Sequence, residues 1–170
     1  MKIVPIFAPY LHSFKFEGES DELSKLIDLW TDKEHLYEYF KNYDDVIHYE
    51  QINLEDAIKQ TIKTALLLYD LLSTNRERLD KLFRSLSKNS LQAQQLPKYK
   101  SVKKWLRIYA IRIESNYYVV TGGAIKQSQK MEDHILTRAE LKKLEQCRNF
   151  LIEKGVFDAD SLIDFVEFDV

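Results

Sequence analysis

The stretch that decides the fold is Trp105-Leu-Arg-Ile-Tyr-Ala-Ile-Arg-Ile113, which is followed after a short turn by Tyr117-Tyr-Val-Val-Thr121. Both segments are rich in aromatic and β-branched residues, which favour strands, and Glu114-Ser-Asn116 separates them. The sequence therefore predicts an antiparallel hairpin. The Gly122-Gly123 pair that follows allows a positive φ or the close approach of another group.

Side chains alternate across a strand, so the first segment of this hairpin has two distinct faces. The face with Leu106 and Ile108 is apolar and is predicted to lie on the core. The other face begins with Trp105, Arg107 and Tyr109 and is predicted to point toward a more open surface. Arginine pairs with phosphate and aromatic rings stack on unpaired bases, so this face is a candidate RNA-binding surface. The alternative is an ordinary strand, in which an arginine lies over a neighbouring ring.

Lysines flank the hairpin on both sides. Four precede it and two follow the double glycine: Lys98, Lys100, Lys103, Lys104, Lys126 and Lys130. Because a hairpin returns the chain to its starting edge, we expect the two groups to meet at one end of the sheet. They would form an electropositive rim that attracts a polyanion. The alternative is a solvated, lysine-rich loop.

Upstream of the hairpin the pattern is mainly helical. The segment from Lys2 to Ala8 is β-prone, and Pro5 predicts that it is an edge strand or an irregular extension. Helical spacing of apolar residues begins near Ser20, and Asn53 is predicted to cap the longest helix. A further helical stretch is expected around residues 78–85, and the Ser-, Asn- and Gln-rich segment 87–100 is predicted to be a loop.

The predicted fold class is α+β, divided at this loop. Residues 1–96 are predicted to form a mainly helical region with one short β-prone segment. Residues 97–170 are predicted to form a small hairpin-based sheet and a C-terminal helix, opened by the Thr137-Arg-Ala-Glu140 capping box. A short helical segment around residues 160–165 and an acidic tail would follow.

Charge supports the same division. Residues 97–154 contain 13 basic and 6 acidic residues, a net charge of +7, whereas residues 1–96 carry −4 and residues 155–170 carry −5. The basic middle suits a polyanionic partner, and the acidic flanks could mask it or meet another partner.

Several classes of function are disfavoured. The single cysteine, Cys147, excludes an intramolecular disulfide and a cysteine-based zinc site within one chain. No signal peptide and no apolar run of about 20 residues is evident, so a cytoplasmic protein without a membrane partner is expected. Phosphate-loop and dinucleotide-binding spacings are missing, and the four histidines are scattered. Neither a metal site nor a cofactor is predicted.

The hairpin and the residues after it resemble the core of RelE/HigB-like toxins of bacterial toxin–antitoxin modules. The resemblance rests on Leu106-Arg-Ile-Tyr109, on Tyr118-Val-Val-Thr-Gly-Gly-Ala-Ile-Lys-Gln-Ser-Gln-Lys130 and on a helix after them. It covers about residues 98–151. It implies a small α+β sheet domain that cleaves mRNA without a metal, in many members on the ribosome, and that a cognate antitoxin protein neutralises.

The resemblance also implies roles for individual residues. Arg107, Lys126 and Lys130 would orient the scissile phosphate and stabilise developing charge, while the 2′-OH of the RNA attacks. Tyr109 would stack on a base or relay a proton. The flanking residues would contact the RNA: Lys98, Lys100, Lys103, Lys104 and Trp105.

Two features depart from the family. Gly122-Gly123 replaces the bulkier residues that are usual before the basic segment, and the 96 N-terminal residues exceed a minimal toxin. The alternative hypothesis is therefore a non-catalytic RelE-fold protein that binds a protein or a nucleic acid. A purely structural protein is a third possibility. The sequence indicates no oligomeric state.

Overall fold

The computed structural model describes residues 1–86, 96–126 and 135–168. Its centre is a six-stranded sheet with the spatial order β1-β2-β6-β5-β4-β3. The strands are β1 (Lys2–Phe7), β2 (Leu11–Lys15), β3 (Phe83–Ser85), β4 (Lys98–Lys103), β5 (Leu106–Glu114) and β6 (Tyr117–Ile125). Neighbouring strands are antiparallel, except that β2 runs parallel to β6.

The sheet crosses the predicted boundary between residues 96 and 97. β1, β2 and β3 come from the N-terminal side, and β4, β5 and β6 come from the C-terminal side. β2 pairs directly with β6, with Leu11 opposite Tyr118 and Ser13 opposite Val120. The two predicted regions therefore share one sheet through backbone hydrogen bonds.

Helices cover both faces of the sheet. They are α1 (Glu22–Trp30), α2 (Lys33–Asn42), α3 (Asp45–Glu50), α4 (Leu54–Thr74), α5 (Ile135–Glu153) and α6 (Ala159–Phe168). Asn53 caps α4 as predicted, since its Oδ1 accepts from the backbone N–H of Asp56 at 2.8 Å. Asp32 caps α2, since its Oδ1 accepts from the backbone N–H groups of Glu34 and His35. The fold is α+β, and nothing in it is specific to RelE-like proteins.

Two hydrophobic cores lie on opposite faces of the sheet. Leu106, Ile108 and Ala110 of β5 pack in the first core with residues of α1, α2 and α4. Tyr109 and Ile111 pack in the second core, which includes residues of α5 and α6. Helices therefore pack on both faces of β5, and the face that was predicted to be more open carries the buried Tyr109, while Arg107 stays partly exposed.

Two predictions of local structure are wrong on either side of the segment 87–95, which lies outside the described residues. Residues 78–85 form a short 3₁₀ turn at Leu79–Lys81 followed by β3, instead of a longer helix. The predicted loop includes β4, which begins at Lys98. β4 was missed because alternating Lys and Tyr show a weak apolar period, and its pairing with β5 supplies the order.

The C-terminal helices extend beyond their predicted bounds. Thr137 lies inside α5 and is 2 % exposed, so it is not the residue that opens the helix. Gly155 follows α5 with a φ of +72°, and the N–H of Val156 donates to the carbonyl of Leu151 at 2.9 Å. This is the left-handed helix termination that a glycine favours.

Among the described residues, no helix combines the length and the apolar character needed to cross a membrane.

Candidate nucleic-acid interface

Trp105 belongs to the turn between β4 and β5 rather than to the strand. Lys104, just before it, has a φ of +50°, and this left-handed residue turns the indole ring toward α4. The ring is 6 % exposed, and its Nε1 donates to Oγ1 of Thr61 at 2.9 Å. The predicted role of Trp105 as a surface that stacks on RNA bases is therefore wrong, because its indole belongs to the core.

Tyr109 is also unavailable at the surface. It is 1 % exposed and packs in the core beneath α5. Burial raises the pKa of its phenol, since the ionised form is disfavoured away from water. The predicted roles of Tyr109 in base stacking and proton relay both require access to RNA, and this position does not provide it.

Arg107 lies near the start of β5 and is partly buried. Its Nη1 donates to the carbonyl of Lys104 at 2.6 Å and to the carbonyl of Leu106 at 3.1 Å. Among the described residues, no carboxylate oxygen lies within 4 Å of its guanidinium. Burial lowers the pKa of this guanidinium, because removing it from water penalises the charged form. Arg107 is thus a positioned cation that an external anion could neutralise.

Lys126 comes close to Arg107 through the pairing of β5 and β6. Arg107 lies opposite Ala124, and the backbone N–H of Lys126 donates to the carbonyl of Trp105 at 2.7 Å. With a strand spacing of about 4.8 Å and a rise of about 3.3 Å per residue, the Cα atoms of Arg107 and Lys126 are about 8 Å apart. The predicted convergence of these two residues is supported at the level of the backbone.

Lys103 and Lys104 complete this end of the sheet. Both are exposed; Lys103 is the last residue of β4, and Lys104 lies in the turn that leads to β5. The Nζ of Lys104 donates to Oε1 of Gln60 at 2.9 Å and lies 5.7 Å from the centroid of the Trp105 ring. We call Lys103, Lys104, Arg107 and Lys126 the cationic end of the sheet.

Two of the remaining predicted lysines do not join the cationic end. Lys98 and Lys100 lie along β4, opposite Ile111 and Tyr109 respectively. Lys98 forms an ion pair with Glu145 of α5, so its charge is balanced within the protein. Lys130 lies outside the described residues.

The described part of the acidic C-terminal helix lies away from Arg107. α6 begins beside Glu114, whose carboxylate accepts from the backbone N–H of Ala159 at the far end of β5. Its later residues Phe165 and Val166 lie against β1. β1 is three strand spacings, about 14 Å, from β5. Of the two arrangements that the sequence left open, the described part of the helix takes the one away from the basic face.

An ion network next to the double glycine was not predicted from the sequence. Glu22 of α1 is 1 % exposed, and its Oε2 accepts from Nζ of Lys143 in α5 at 3.0 Å. The same Nζ donates to Oε1 of Glu140 at 3.1 Å. Lys25 lies 3.0 Å from the other oxygen of Glu22. Burial raises the pKa of Glu140, while Lys143 opposes that shift.

The double glycine explains how two helices reach the same strand. A Cβ atom on Gly122 would lie 2.1 Å from Oε2 of Glu140, on the α5 side. A Cβ atom on Gly123 would lie 2.7 Å from Cδ1 of Leu26, on the α1 side. The predicted close approach is confirmed, and it occurs on both faces. The glycine pair was the only sequence signal that pointed to the network.

No protein-family profile, no curated protein and no solved structure matches this chain. The relation to RelE/HigB-like toxins consequently stays a resemblance of residues 98–151.

Proposed function

We propose that this protein binds RNA through the cationic end of the sheet. The observation that carries the proposal is Arg107, a partly buried guanidinium with no carboxylate within 4 Å among the described residues. Lys126 lies beside it across the β5–β6 pair. A guanidinium that has lost part of its hydration, and that no carboxylate of the described residues neutralises, is stabilised by a bound phosphate.

The geometry favours recognition of the RNA backbone. Two carbonyls hold one nitrogen of Arg107, which fixes the guanidinium and leaves its other N–H groups for a phosphate. The two aromatic residues first assigned to base stacking, Trp105 and Tyr109, are buried. Binding should therefore depend strongly on salt and weakly on base sequence.

A second candidate is a metal-independent endoribonuclease of the RelE type that acts on mRNA, on the ribosome. Arg107 favours it, because a fixed and partly desolvated guanidinium can stabilise the charge that develops on a phosphate during attack by the 2′-OH. Lys126 keeps its proposed role in this candidate, the role of Lys130 stays a prediction because that residue lies outside the described ones, and Tyr109 has no role. This candidate includes a cognate antitoxin protein as partner.

Binding can be tested by fluorescence anisotropy with a labelled 20-nucleotide RNA at several salt concentrations. Four cations that each meet a phosphate give a slope of log K against log salt of about −3, at roughly −0.7 per contact for single strands. Arg107→Ala should weaken binding at least tenfold, and Lys126→Ala should weaken it severalfold. Each change should reduce the slope by about 0.7.

Lys63→Ala is the matched control, because Lys63 is an exposed lysine on α4. It removes the same charge as Lys126→Ala and should leave the affinity within twofold of wild type. Equal losses for Lys63 and Lys126 would show that only net charge matters. An affinity for RNA that Arg107→Ala does not change would refute the proposal.

Cleavage is tested separately, in a translation reaction that contains ribosomes and a labelled mRNA. A second reaction contains the mRNA and EDTA but no ribosomes, and fragments formed there would show cleavage that needs neither a metal nor a ribosome. An endoribonuclease yields discrete fragments that Arg107→Ala abolishes, and its expression slows bacterial growth. Salt-sensitive binding without fragments would support the binding function and exclude the second candidate.

A further inference from the structure

A groove between α2 and α4, on the described part of the chain, is lined by both apolar and charged side chains. Its volume is about 540 Å³, and its lining includes Tyr37, Ile58 and Ile62. Leu66 lies one turn beyond Ile62 on the same face of α4 and is 55 % exposed, while Tyr37 is 45 % exposed. A grouped set of exposed apolar side chains is typical of an interaction surface, whereas scattered single ones are ordinary.

The groove lies in an acidic part of the chain. Residues 32–56, which include α2, α3 and the start of α4, contain eight acidic and two basic residues, a net charge of −6. Glu34, Glu38 and Glu55 line the groove itself. Two lysines also line it, and one of them, Lys59, is 3.2 Å from Oε1 of Glu55.

We propose that this groove binds a basic amphipathic helix of a partner protein. The apolar floor would take one face of that helix, and the acidic surroundings would pair with Lys or Arg on its flanks. The negative charge selects this partner over an acidic one, because juxtaposed like charges are repulsive.

The apolar row on α4 sets the length of the partner segment. Ile58 and Ile62 line the groove, and Leu66 continues the row one turn beyond it, so that the three residues extend over about 12 Å of α4 at 1.5 Å per residue. A partner helix of two to three turns with apolar anchors at i, i+4 and i+7 matches this length. The inference does not rest on the RNA-binding proposal, since the two surfaces have opposite charge and share no residue.

The probe is an 18-residue fluorescent peptide that has Leu on one helical face and Lys on the other. Its counterpart carries Glu in place of every Lys. Anisotropy titrations at 100 mM NaCl should show that the wild-type protein binds the Leu/Lys peptide at least tenfold more tightly than the Leu/Glu peptide.

Three variants separate the groove from general charge attraction. Tyr37→Ser combined with Leu66→Ser should weaken binding of the Leu/Lys peptide at least fivefold, and Glu34→Gln combined with Glu38→Gln at least threefold. Asp160→Asn combined with Asp164→Asn removes two exposed charges from acidic α6 and should leave binding unchanged. Circular dichroism confirms that each variant is folded.

Three results would overturn the proposal. The first is equal binding of the Leu/Lys peptide to wild type and to the Tyr37/Leu66 variant. The second is a loss in the α6 control as large as that in the groove variants. The third is a wild-type protein that is dimeric in sedimentation and does not bind the peptide, together with a Tyr37/Leu66 variant that is monomeric. That result would assign the groove to a second copy of the chain.

Discussion

The ion network between α1 and α5 makes a quantitative prediction about stability. Replacing Lys143 with Met keeps the apolar stem of the side chain and removes the ammonium that joins Glu22 to Glu140. We expect Lys143→Met to lower the free energy of unfolding by about 2 kcal/mol, because Glu22 is 1 % exposed and loses one of its two cationic neighbours.

The magnitude follows from the surroundings of Glu22. Removing one partner of a fully buried ion pair costs about 3–5 kcal/mol. Here the cost is smaller, since Lys25 still lies 3.0 Å from Glu22 and the side chain of Lys143 is 22 % exposed. With an unfolding entropy of about 2.1 cal/mol/K per residue, a loss of 2 kcal/mol lowers the Tm of 170 residues by about 5–6 °C.

A double-mutant cycle in urea at pH 7 measures the pairwise part of this effect. The single changes are Glu22→Gln and Lys143→Met, and we expect a coupling energy of about 1–2 kcal/mol. Lys59 and Glu55 on α4 provide the control, because they are 3.2 Å apart but 69 % and 77 % exposed. Their coupling should be no more than about 0.5 kcal/mol.

Comparing the coupling energies of the two pairs tests whether burial strengthens the ion pair of Glu22. This claim would be refuted if Lys143→Met cost less than about 0.5 kcal/mol or if both pairs had the same coupling energy. Either result would mean that Glu22 keeps its hydration in solution, and that burial does not strengthen the network.

Three further predictions concern other buried or crowded groups. Burial lowers the pKa of His12 to about 4, so the unfolded chain binds more protons than the folded one between pH 6.5 and 4. The contribution of neutral His12 to the free energy of unfolding is therefore fully present above pH 6.5, and this free energy should fall by about 3 kcal/mol toward pH 4. Urea titrations of His12→Gln should show a weaker dependence of stability on pH. A pH dependence equal to that of wild type would contradict the role of His12. Burial opposes ionisation of Asp80, but hydrogen bonds from Arg112, from the hydroxyl of Tyr118, from the backbone N–H of Asn116 and from the hydroxyl of Ser115 outweigh it and hold the pKa of this carboxyl well below its usual range. Asp80→Asn should accordingly lose about 2 kcal/mol in urea unfolding, after allowance for its partial exposure, and a loss below 0.5 kcal/mol would contradict the role of its charge. Gly123→Ala should cost about 2–3 kcal/mol in thermal unfolding, since its Cβ would lie 2.4 Å from the carbonyl oxygen of Arg107; a variant as stable as wild type would show that β5 can move away.

Local sequence patterns were sufficient to predict the elements that depend on nearby residues in the chain. The β5–β6 hairpin and the Asn53 cap of α4 were predicted correctly, and the segment that contains Pro5 adopts the edge strand, one of its two predicted alternatives. Each depends on neighbours in the chain: alternating apolar residues, a missing N–H, or a side chain that reaches a nearby backbone N–H. Such interactions need no information about distant residues.

The exposure of the two faces of β5 could not be predicted from the sequence alone. Arg107 within an apolar strand suggested an open face, yet α5 covers Tyr109 from a position more than 25 residues later in the chain. The guanidinium escapes full burial only because β5 has just begun at that residue, where it can reach the turn carbonyls. The exposure of a side chain on β5 depends on its position along the strand, whereas the alternation of apolar and polar residues predicts only which face of the sheet it lies on.

The sequence by itself determined the α+β class, the hairpin, most helices of the first 74 residues and the basic character of residues 97–154. Tertiary structure alone decided the parallel pairing of β2 with β6, the separation of acidic α6 from Arg107 and the network that links Glu22 to Lys143. The physical reason is the range of the interactions. Capping and periodicity act within a few residues, but the Glu22–Lys143 pair joins positions 121 residues apart, and only packing on a shared sheet brings them together.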